Sequence, residues 1–153
     1  MTRGQFELGT DGPSVLVVGV DGSPTSLRAA AYAAGLARRQ RTKLIIVYAR
    51  KHPPGYVSIA GQGALVVKET LDAQDEVESE LREGLRTQAP KWGIDAHLVV
   101  RFGDPLTVLS DVAKEVRADA VIVGSSASVG HRIAGSLAIK LVRAGRWPVT
   151  VVP

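Results

Sequence analysis

The sequence has no cysteine, one methionine and few aromatic residues, with two Trp, three Tyr and two Phe among its 153 residues. The lack of cysteine excludes disulfide bonds, thiolate metal centres and cysteine nucleophiles. The chain also has no apolar run as long as a membrane span, and its first residues lack the apolar core of a signal peptide. We therefore expect a cytoplasmic protein without a membrane partner.

The net charge is also small, because 19 Lys and Arg residues against 15 Asp and Glu residues leave a net charge of +4. The basic residues are scattered apart from a few within 38–51, and few aromatic side chains are present to stack on bases. We therefore expect no nucleic-acid partner. Seven of the acidic residues fall within 69–83, on a predicted amphipathic helix, and we interpret them as a solvated face.

Short apolar runs alternate with helical patterns along the chain. After a polar, glycine-rich leader at 1–13, one domain is predicted over 14–153. The alternation predicts an α/β fold in which an open, mostly parallel sheet has helices on both faces. Strands are predicted at 14–20, 43–49, 95–101, 120–124 and 148–152, the third of them an edge strand, and helices at 24–39, from about 69, from 105 and from 136.

Two predicted helices begin with the same signature. Ser23-Pro24 and Asp104-Pro105 each place a capping side chain before a proline, which has no N–H to leave unpaired in the first turn. In the first helix we expect a face of mostly small residues to let the helix lie close on the sheet. That face consists of Leu27, Ala30, Ala31, Ala34 and Ala37.

Proline and glycine mark the limits of the second helix. Residues 50–66 contain two consecutive prolines and three glycines, and they are predicted to be a loop beside the end of the second strand. Pro90 and Gly93 are expected to end the helix that follows. A loop at this place is long enough to close over a ligand, but we favour a plain flexible connection.

Four residues stand at the carboxyl ends of predicted strands, namely Asp21, Ala49, Gly103 and Gly124. In open parallel sheets, ligands bind beyond these ends, at the point where the winding direction reverses. If the first and fourth strands are neighbours there, Asp21 faces the loop that follows Gly124 across one cleft.

The stretch from Gly124 to Ser136 is a small-residue loop between a strand and a helix. Such a loop suits phosphate, because glycines let backbone N–H groups approach an anion and a helix N-terminus adds unpaired donors. It is not a Walker A loop, since Ser136 stands where the lysine belongs, and no Gly-x-Gly-x-x-Gly follows a predicted strand. The alternative is that these residues only make a tight connection.

Several of these segments together resemble the universal stress protein family. They are Val-Gly-Val-Asp21-Gly-Ser, Gly103-Asp-Pro, the strand leading to Gly124 with its loop closed by Gly135-Ser136, and Pro148-Val-Thr-Val-Val. The resemblance spans 14–153. It implies a sheet of order 3-2-1-4-5, a homodimer formed through the last strand at 148–152, and, as in one branch of the family, binding of ATP.

The resemblance also implies roles for individual residues. Asp21 would accept a hydrogen bond from a ribose hydroxyl or the base, Val20 and Ala49 would line the adenine site, and Gly124, Gly135 and Ser136 would hold phosphate. A carboxylate suits only the uncharged end of a nucleotide, because it repels phosphate. The full predicted nucleotide site is Gly19, Val20, Asp21, Ala49, Gly103, Gly124, Ser125, Ser126, Ala127, Gly130, His131, Gly135, Ser136 and Leu137.

The loop departs from the family pattern, Gly-x2-Gly-x9-Gly-Ser/Thr, in two respects. Ala127 replaces the second glycine, and seven residues rather than nine separate it from Gly135. Gly130 and the nearby serine hydroxyls are candidates to compensate for these changes. The ligand is therefore expected to be ATP or another adenine nucleotide with a smaller phosphate group, such as AMP, cyclic AMP or a cyclic dinucleotide, with Mg²⁺ only if a triphosphate is bound.

The sequence offers little for catalysis. His52 and His97 have no partners at metal-ligand spacing, and neither a positioned base nor a phosphate-reaching lysine is recognisable. We expect a regulator in stress or signalling that acts through ligand-dependent changes, and not an enzyme beyond very slow ATP hydrolysis. The alternative is a dimeric interaction module of the same fold that binds no nucleotide.

Overall fold

The computed structural model describes residues 13–53, 62–125 and 136–153. Within these ranges five parallel strands form one sheet in the order 3-2-1-4-5, as predicted. The elements are β1 (Val15–Val20), α1 (Pro24–Gln40), β2 (Lys43–Arg50), α2 (Gln62–Trp92), β3 (Ala96–Phe102), α3 (Pro105–Glu115), β4 (Ala120–Gly124), α4 (Ser136–Ala144) and β5 (Val149–Val152).

Helices cover both faces of the sheet. On one face, α1 packs on alternate residues of the central strands, including Leu16 and Val18, and α2 lies beside it. On the other face, α3 and α4 pack on the strand residues that alternate with these, including Val17 and Val121. The three inner strands are therefore apolar on both sides, which is why they are nearly continuous β-branched runs in the sequence.

The two helix starts are confirmed. The Ser26 N–H donates to the Ser23 hydroxyl at 3.3 Å, and the Thr107 N–H donates to the Asp104 carboxylate at 3.0 Å. Each cap supplies an acceptor to an N–H group that has no partner within its helix.

The predicted inner face of α1 is wrong. The residues buried on the sheet are Ala29, Ala33 and Ala37, spaced four apart in line with the buried Thr25. Of the predicted face only Ala37 is buried there, and Leu27 is 47% exposed. The reason is that Thr25, in the first turn, packs against the end of β4, and this contact fixes the rotation of the whole helix.

The predicted loop at 50–66 is wrong at both ends. Arg50 belongs to β2, and α2 already begins at Gln62; residues 54–61 lie outside the described residues. Helix α2 also continues through Pro90 to Trp92, and it is Gly93, with a φ of +64°, that ends it in the left-handed conformation common after helices.

The outer strands differ from their predicted limits by one residue. Strand β3 begins and ends one residue later than predicted. It is an edge strand, as predicted, because it pairs only with β2 among the described strands. Strand β5 begins one residue late and forms the other edge.

Asp119 joins the amino ends of β1 and β4. Its carboxylate accepts hydrogen bonds from the Ser14 N–H at 2.7 Å, the Ser14 hydroxyl at 3.0 Å and the Val15 N–H at 2.9 Å. Partial burial raises the pKa of the Asp119 carboxyl, but these hydrogen bonds outweigh it and hold the pKa below its ordinary value of 3.8.

We expect Asp119→Asn to lower the free energy of unfolding by about 1–2 kcal/mol at pH 7, since a neutral amide is a weaker acceptor for these donors. Because the folded state holds the Asp119 pKa low, the carboxylate stabilises the fold above the unfolded pKa and loses that effect as pH falls through the folded pKa. Denaturant unfolding between pH 7 and pH 2 tests this. The difference between wild type and variant should close below about pH 4; a difference that stays constant over this range would contradict it.

Candidate functional site

A cleft of about 250 Å³ opens where the carboxyl ends of β1, β2 and β4 meet the first turns of α1 and α4. This is the point where the order of the strands reverses, since β1 is followed by β2 on one side and has β4 on the other. The described residues that line it are Gly19, Val20, Asp21, Ser23, Thr25, Ser26, Val47, Ala49, Pro105, Leu109, Val123, Gly124, Ser125, Ser136, Leu137 and Ala138.

Asp21 is the charged side chain among these lining residues. One of its carboxylate oxygens accepts the Ser23 N–H at 2.9 Å, and its own N–H donates to the Ser26 hydroxyl at 3.1 Å. Burial raises the pKa of the Asp21 carboxyl, but the hydrogen bonds from Ser23 and Ser26 outweigh it and leave the pKa below its ordinary value. The carboxylate is therefore ionised at neutral pH and fixed in orientation, with capacity to accept further hydrogen bonds.

The Ser26 and Leu27 N–H groups in the first turn of α1 are satisfied within the chain. The Ser26 N–H is capped by the Ser23 hydroxyl, the Leu27 N–H donates to the Ser23 carbonyl at 2.9 Å, and the Ser23 and Thr25 hydroxyls are 3.2 Å apart. Although this helix end borders the cleft, these groups are directed at one another. The start of α1 is consequently a wall of the cleft rather than its anion site.

Gly124 has a structural reason to be glycine. A Cβ atom at this position would lie 2.7 Å from the backbone C and O of Thr25 and 2.8 Å from the Ser26 N. The next N–H group, that of Ser125, donates to the Val152 carbonyl at 2.8 Å. The end of β4 therefore presents the Ser125 hydroxyl to the cleft, whereas the Ser125 N–H is not free for a phosphate.

The first turn of α4 supplies the remaining donors. Ser136, Leu137 and Ala138 line the cleft, and the first N–H groups of a helix have no acceptor within it. Their partial positive charge favours an anion at this place. The predicted helix start at Ser136 is confirmed.

The structure brings together eight of the predicted residues: Gly19, Val20, Asp21, Ala49, Gly124, Ser125, Ser136 and Leu137. Gly103 lies outside the lining; its N–H donates to the Arg50 carbonyl at 2.9 Å and its φ is +147°, so it serves the turn into α3 while Pro105 lines the cleft. Five further predictions fall outside the described residues, namely Ser126, Ala127, Gly130, His131 and Gly135.

Sequence reasoning missed the apolar floor of the cleft. Val47 and Val123 are each 2% exposed, and Leu109 is 1% exposed. Val47 was open to prediction, because it precedes Ala49 by two residues and lies on the same side of its strand. Leu109 reaches the site only through the crossover that brings α3 onto this face, and no local pattern indicates that.

Helix α2 is fastened to the end of β2 by Arg50, which is 8% exposed. Its guanidinium lies 2.6 Å from the Asp75 carboxylate and 2.9 Å from that of Glu78, and 5.1 Å from the centre of the Phe102 ring. Desolvation lowers the pKa of Arg50, but the hydrogen bonds to Asp75 and Glu78 outweigh it and raise the pKa overall. The interpretation of all the acidic residues of α2 as a solvated face is therefore wrong for Glu78, which is 20% exposed, whereas the paired Asp75 is still 64% exposed.

The same turn of α2 also contacts the ends of β1 and β2. The Gln74 side chain accepts the Lys51 N–H at 2.6 Å and donates to the Lys51 carbonyl at 3.2 Å. Val77 packs on Gly22, where a Cβ would lie 2.9 Å from the valine side chain and where φ is +82°. The turn thereby supports both strand ends that carry Asp21 and Ala49.

The two described histidines are engaged elsewhere. The His52 ring stacks on Phe102 with centroids 5.1 Å apart, and His97 Nε2 lies 2.7 Å from the Asp95 carboxylate. Across 13–53, 62–125 and 136–153, no three His, Asp or Glu side chains are grouped to hold a metal ion. In the same ranges, no helix has the length and apolarity needed to cross a membrane.

Comparison with known proteins agrees with this architecture. Residues 14–153 match the model of the Universal stress protein family. A universal stress protein of Methanocaldococcus jannaschii is 26% identical over 140 residues, which cover 90% of this chain and 80% of that protein.

Two solved structures extend the comparison. A universal stress protein in complex with cAMP is 26% identical with a TM-score of 0.60, over 94% of this chain and 98% of that one. The universal stress protein from Archaeoglobus fulgidus in complex with dAMP is 22% identical with a TM-score of 0.54, over 90% and 96%.

We expect Gly124→Ala to lower the free energy of unfolding by about 1–3 kcal/mol, because the methyl group meets backbone atoms that have no rotamer to change. Gly35→Ala is the matched control, since its Cβ would meet only the end of the Arg39 side chain, 3.8 Å away. Inside a helix, that control should gain up to about 1 kcal/mol. Denaturant unfolding of both variants tests the pair, and equal effects would show that the contact of Gly124 with α1 is not tight.

Proposed function

Because the chain belongs to the universal stress protein family, we propose that it binds an adenine nucleotide with a single phosphate group in this cleft. The observation that carries the proposal is that Asp21 and the first turn of α4 line the same cavity. One offers a carboxylate to hydroxyl groups and the other offers N–H groups to an anion. A nucleotide has these two chemistries at its two ends.

The nucleoside end is supported by the apolar floor of Val47, Val123 and Leu109, beside the ionised Asp21. Flat apolar surface with one charged acceptor suits a base and its ribose, since most ligand sites combine apolar walls with a few fixed polar groups. Phosphate in that position would meet the carboxylate and be repelled. The nucleotide is therefore oriented with its ribose hydroxyls towards Asp21.

The phosphate end has few donors among the described residues. The Ser125 N–H is engaged by Val152, which leaves the Ser125 and Ser136 hydroxyls and the first N–H groups of α4. The cleft volume of about 250 Å³ is also below the roughly 300–1,000 Å³ of typical ligand pockets. The described donors provide for one phosphate group, so AMP and cyclic AMP are proposed before ATP, and Mg²⁺ is needed only for a triphosphate. The relatives solved with cAMP and dAMP support the same class.

Binding of this kind suits a regulator in stress or signalling rather than an enzyme with rapid turnover. The described lining contains hydroxyl groups and one carboxylate, and this carboxylate lies at the nucleoside end. General acid–base catalysis at a phosphate requires a proton-transferring group within hydrogen-bond reach of it. We propose that the protein acts through the change in its surface on ligand binding.

Isothermal titration with AMP, cyclic AMP and ATP tests the proposal. We expect saturable heats with AMP and cyclic AMP and a weaker response with ATP. Absence of heat with all three would overturn it in favour of an interaction module that binds no nucleotide.

Asp21→Asn should weaken AMP binding about tenfold, because a charge-assisted hydrogen bond becomes a neutral one and about 1.4 kcal/mol corresponds to a factor of ten. The control is a nucleotide that has no ribose hydroxyl groups. Wild type and variant should bind 2′,3′-dideoxyadenosine monophosphate equally, since it lacks the hydroxyls that Asp21 accepts from. An equal loss for both ligands would assign Asp21 a structural role only.

We also propose a homodimer through β5, an edge strand of branched residues. The carbonyls of Pro148 and Val152 accept N–H groups from Val121 and Ser125. Parallel strands alternate the direction of their polar groups residue by residue. Val149 and Val151 therefore direct their N–H and C=O groups away from β4, and an unpaired edge of this kind pairs readily with its symmetry mate.

Val151→Pro should convert the dimer to a monomer, because it removes an outward N–H without breaking the ladder to β4. Sedimentation velocity measures the result, and Val151→Thr, which keeps the N–H and the branched shape, should remain dimeric. A dimer that persists in the proline variant would place the interface elsewhere.

A further inference from the structure

A second cavity lies on the face of the sheet that α1 and α2 cover. This α1/α2 slot has a volume of about 260 Å³ and shares no lining residue with the nucleotide cleft. Its described lining is Leu27, Ala30, Ala31, Ala34, Leu44, Ile46, Glu80, Leu81, Gly84, Leu85, Gln88, Ala89, Trp92, Ile94 and Ala96. The lining is almost entirely apolar, apart from Glu80 and Gln88.

The slot exists because small residues face each other across it. On α1 the wall consists of alanines, and on α2 a Cβ added to Gly84 would meet no heavy atom within 4 Å. Leu44 forms a floor that is 1% exposed, whereas Leu27 and Trp92 at the margins are 47% and 48% exposed. The larger side chains in the walls, such as Leu81 and Leu85, line the slot without closing it, so a side chain from outside has room to enter.

The dimensions suit an elongated occupant. The α2 wall extends from Glu80 to Trp92, twelve residues further along the helix, which is about 18 Å at 1.5 Å per residue. This is the length of about three helical turns. A helix that binds in such a groove inserts apolar residues at positions i, i+3 or i+4, and i+7.

The charges around the slot are divided between its two ends. Glu80 and, one turn before it, Glu76 are exposed at the end near the strand carboxyl termini. Arg38, one turn after Ala34, and Lys91, beside Trp92, are exposed at the opposite end. A bound helix therefore meets negative charge at one end and positive charge at the other.

We propose that the α1/α2 slot binds an amphipathic helix of another protein, antiparallel to α1 and α2. In this direction the first turn of the bound helix lies near Arg38 and Lys91, and its last turn near Glu76 and Glu80. Helices favour acidic residues in the first turn and basic residues in the last. The slot thus complements a helix with Asp or Glu at its start, Lys or Arg at its end and an apolar stripe between them.

A second copy of this chain does not fit the description. Helices α1, α2, α3 and α4 have no acidic residue in the first turn. Among the described helices only α3 has that charge order, with Asp104 as its N-cap and Lys114 in its last turn, and its apolar residues are already buried on its own sheet. The partner is therefore a different protein.

The test uses a synthetic 15-residue peptide with Leu at positions 4, 8 and 11, two Glu in its first turn, two Lys in its last, and Ala and Gln elsewhere. Trp92 lies at one end of the slot, so binding of the peptide should shift its fluorescence emission to shorter wavelength, and Trp92→Phe should abolish this shift. We expect a saturable shift with the full chain. Gly84→Leu, which fills the slot, should weaken binding at least tenfold, and Gly35→Leu, on α1 outside the lining, should leave it unchanged.

Charge reversal tests the direction. Replacing Glu76 and Glu80 by Lys should lower the affinity for this peptide. A second peptide, with Glu in place of the two last-turn Lys residues, should bind the charge-reversed variant with the original affinity. A missing shift, or equal binding by the Gly84→Leu variant, would overturn the proposal. It is also overturned if Trp92 emission shifts with protein concentration alone, because a second copy of the chain then fills the slot. The same holds if the peptide binds only after Phe6 and Leu8, two apolar residues of the leader at 1–13, are replaced by Ser, because the leader then fills the slot.

Discussion

The contact between the end of β4 and the first turn of α1 is the constraint on which the cleft depends. Gly124 lies against the backbone of Thr25 and Ser26, closer than any side chain permits. This contact fixes the rotation of α1, so that Ala29, Ala33 and Ala37 face the sheet. It also places the capped start of α1 as one wall of the cleft, opposite the first turn of α4.

The second constraint is the attachment of α2 near its middle. Arg50, Gln74 and Val77 hold one turn of this 31-residue helix against the strand ends that form the cleft. Beyond that turn, the small residues of α1 and α2 leave the α1/α2 slot between them. The same arrangement therefore stiffens the side of the cleft that carries Asp21 and Ala49 and leaves an apolar opening on the opposite face of the sheet.

Local patterns predicted the order of elements and the residues at the strand ends, because β-branched runs, capping residues and prolines act within a few residues of chain. Asp21, Ala49 and Gly124 were placed at one edge of the sheet for that reason, and the structure brings them together. The same reasoning failed at α1, where several faces are rich in alanine, and at 62–66, where glycine and branched residues concealed the start of α2.

The alternation of strands and helices follows from the sequence alone, and with it a parallel sheet whose carboxyl ends carry the candidate site. Which donors remain free there depends on contacts between distant parts of the chain. The Ser125 N–H is engaged by Val152, and Arg50 pairs with Asp75 and Glu78, although these residues are far apart in the chain. The gap between α1 and α2 likewise lies between distant segments. Such contacts depend on how crossovers bring elements together, and no local periodicity records that.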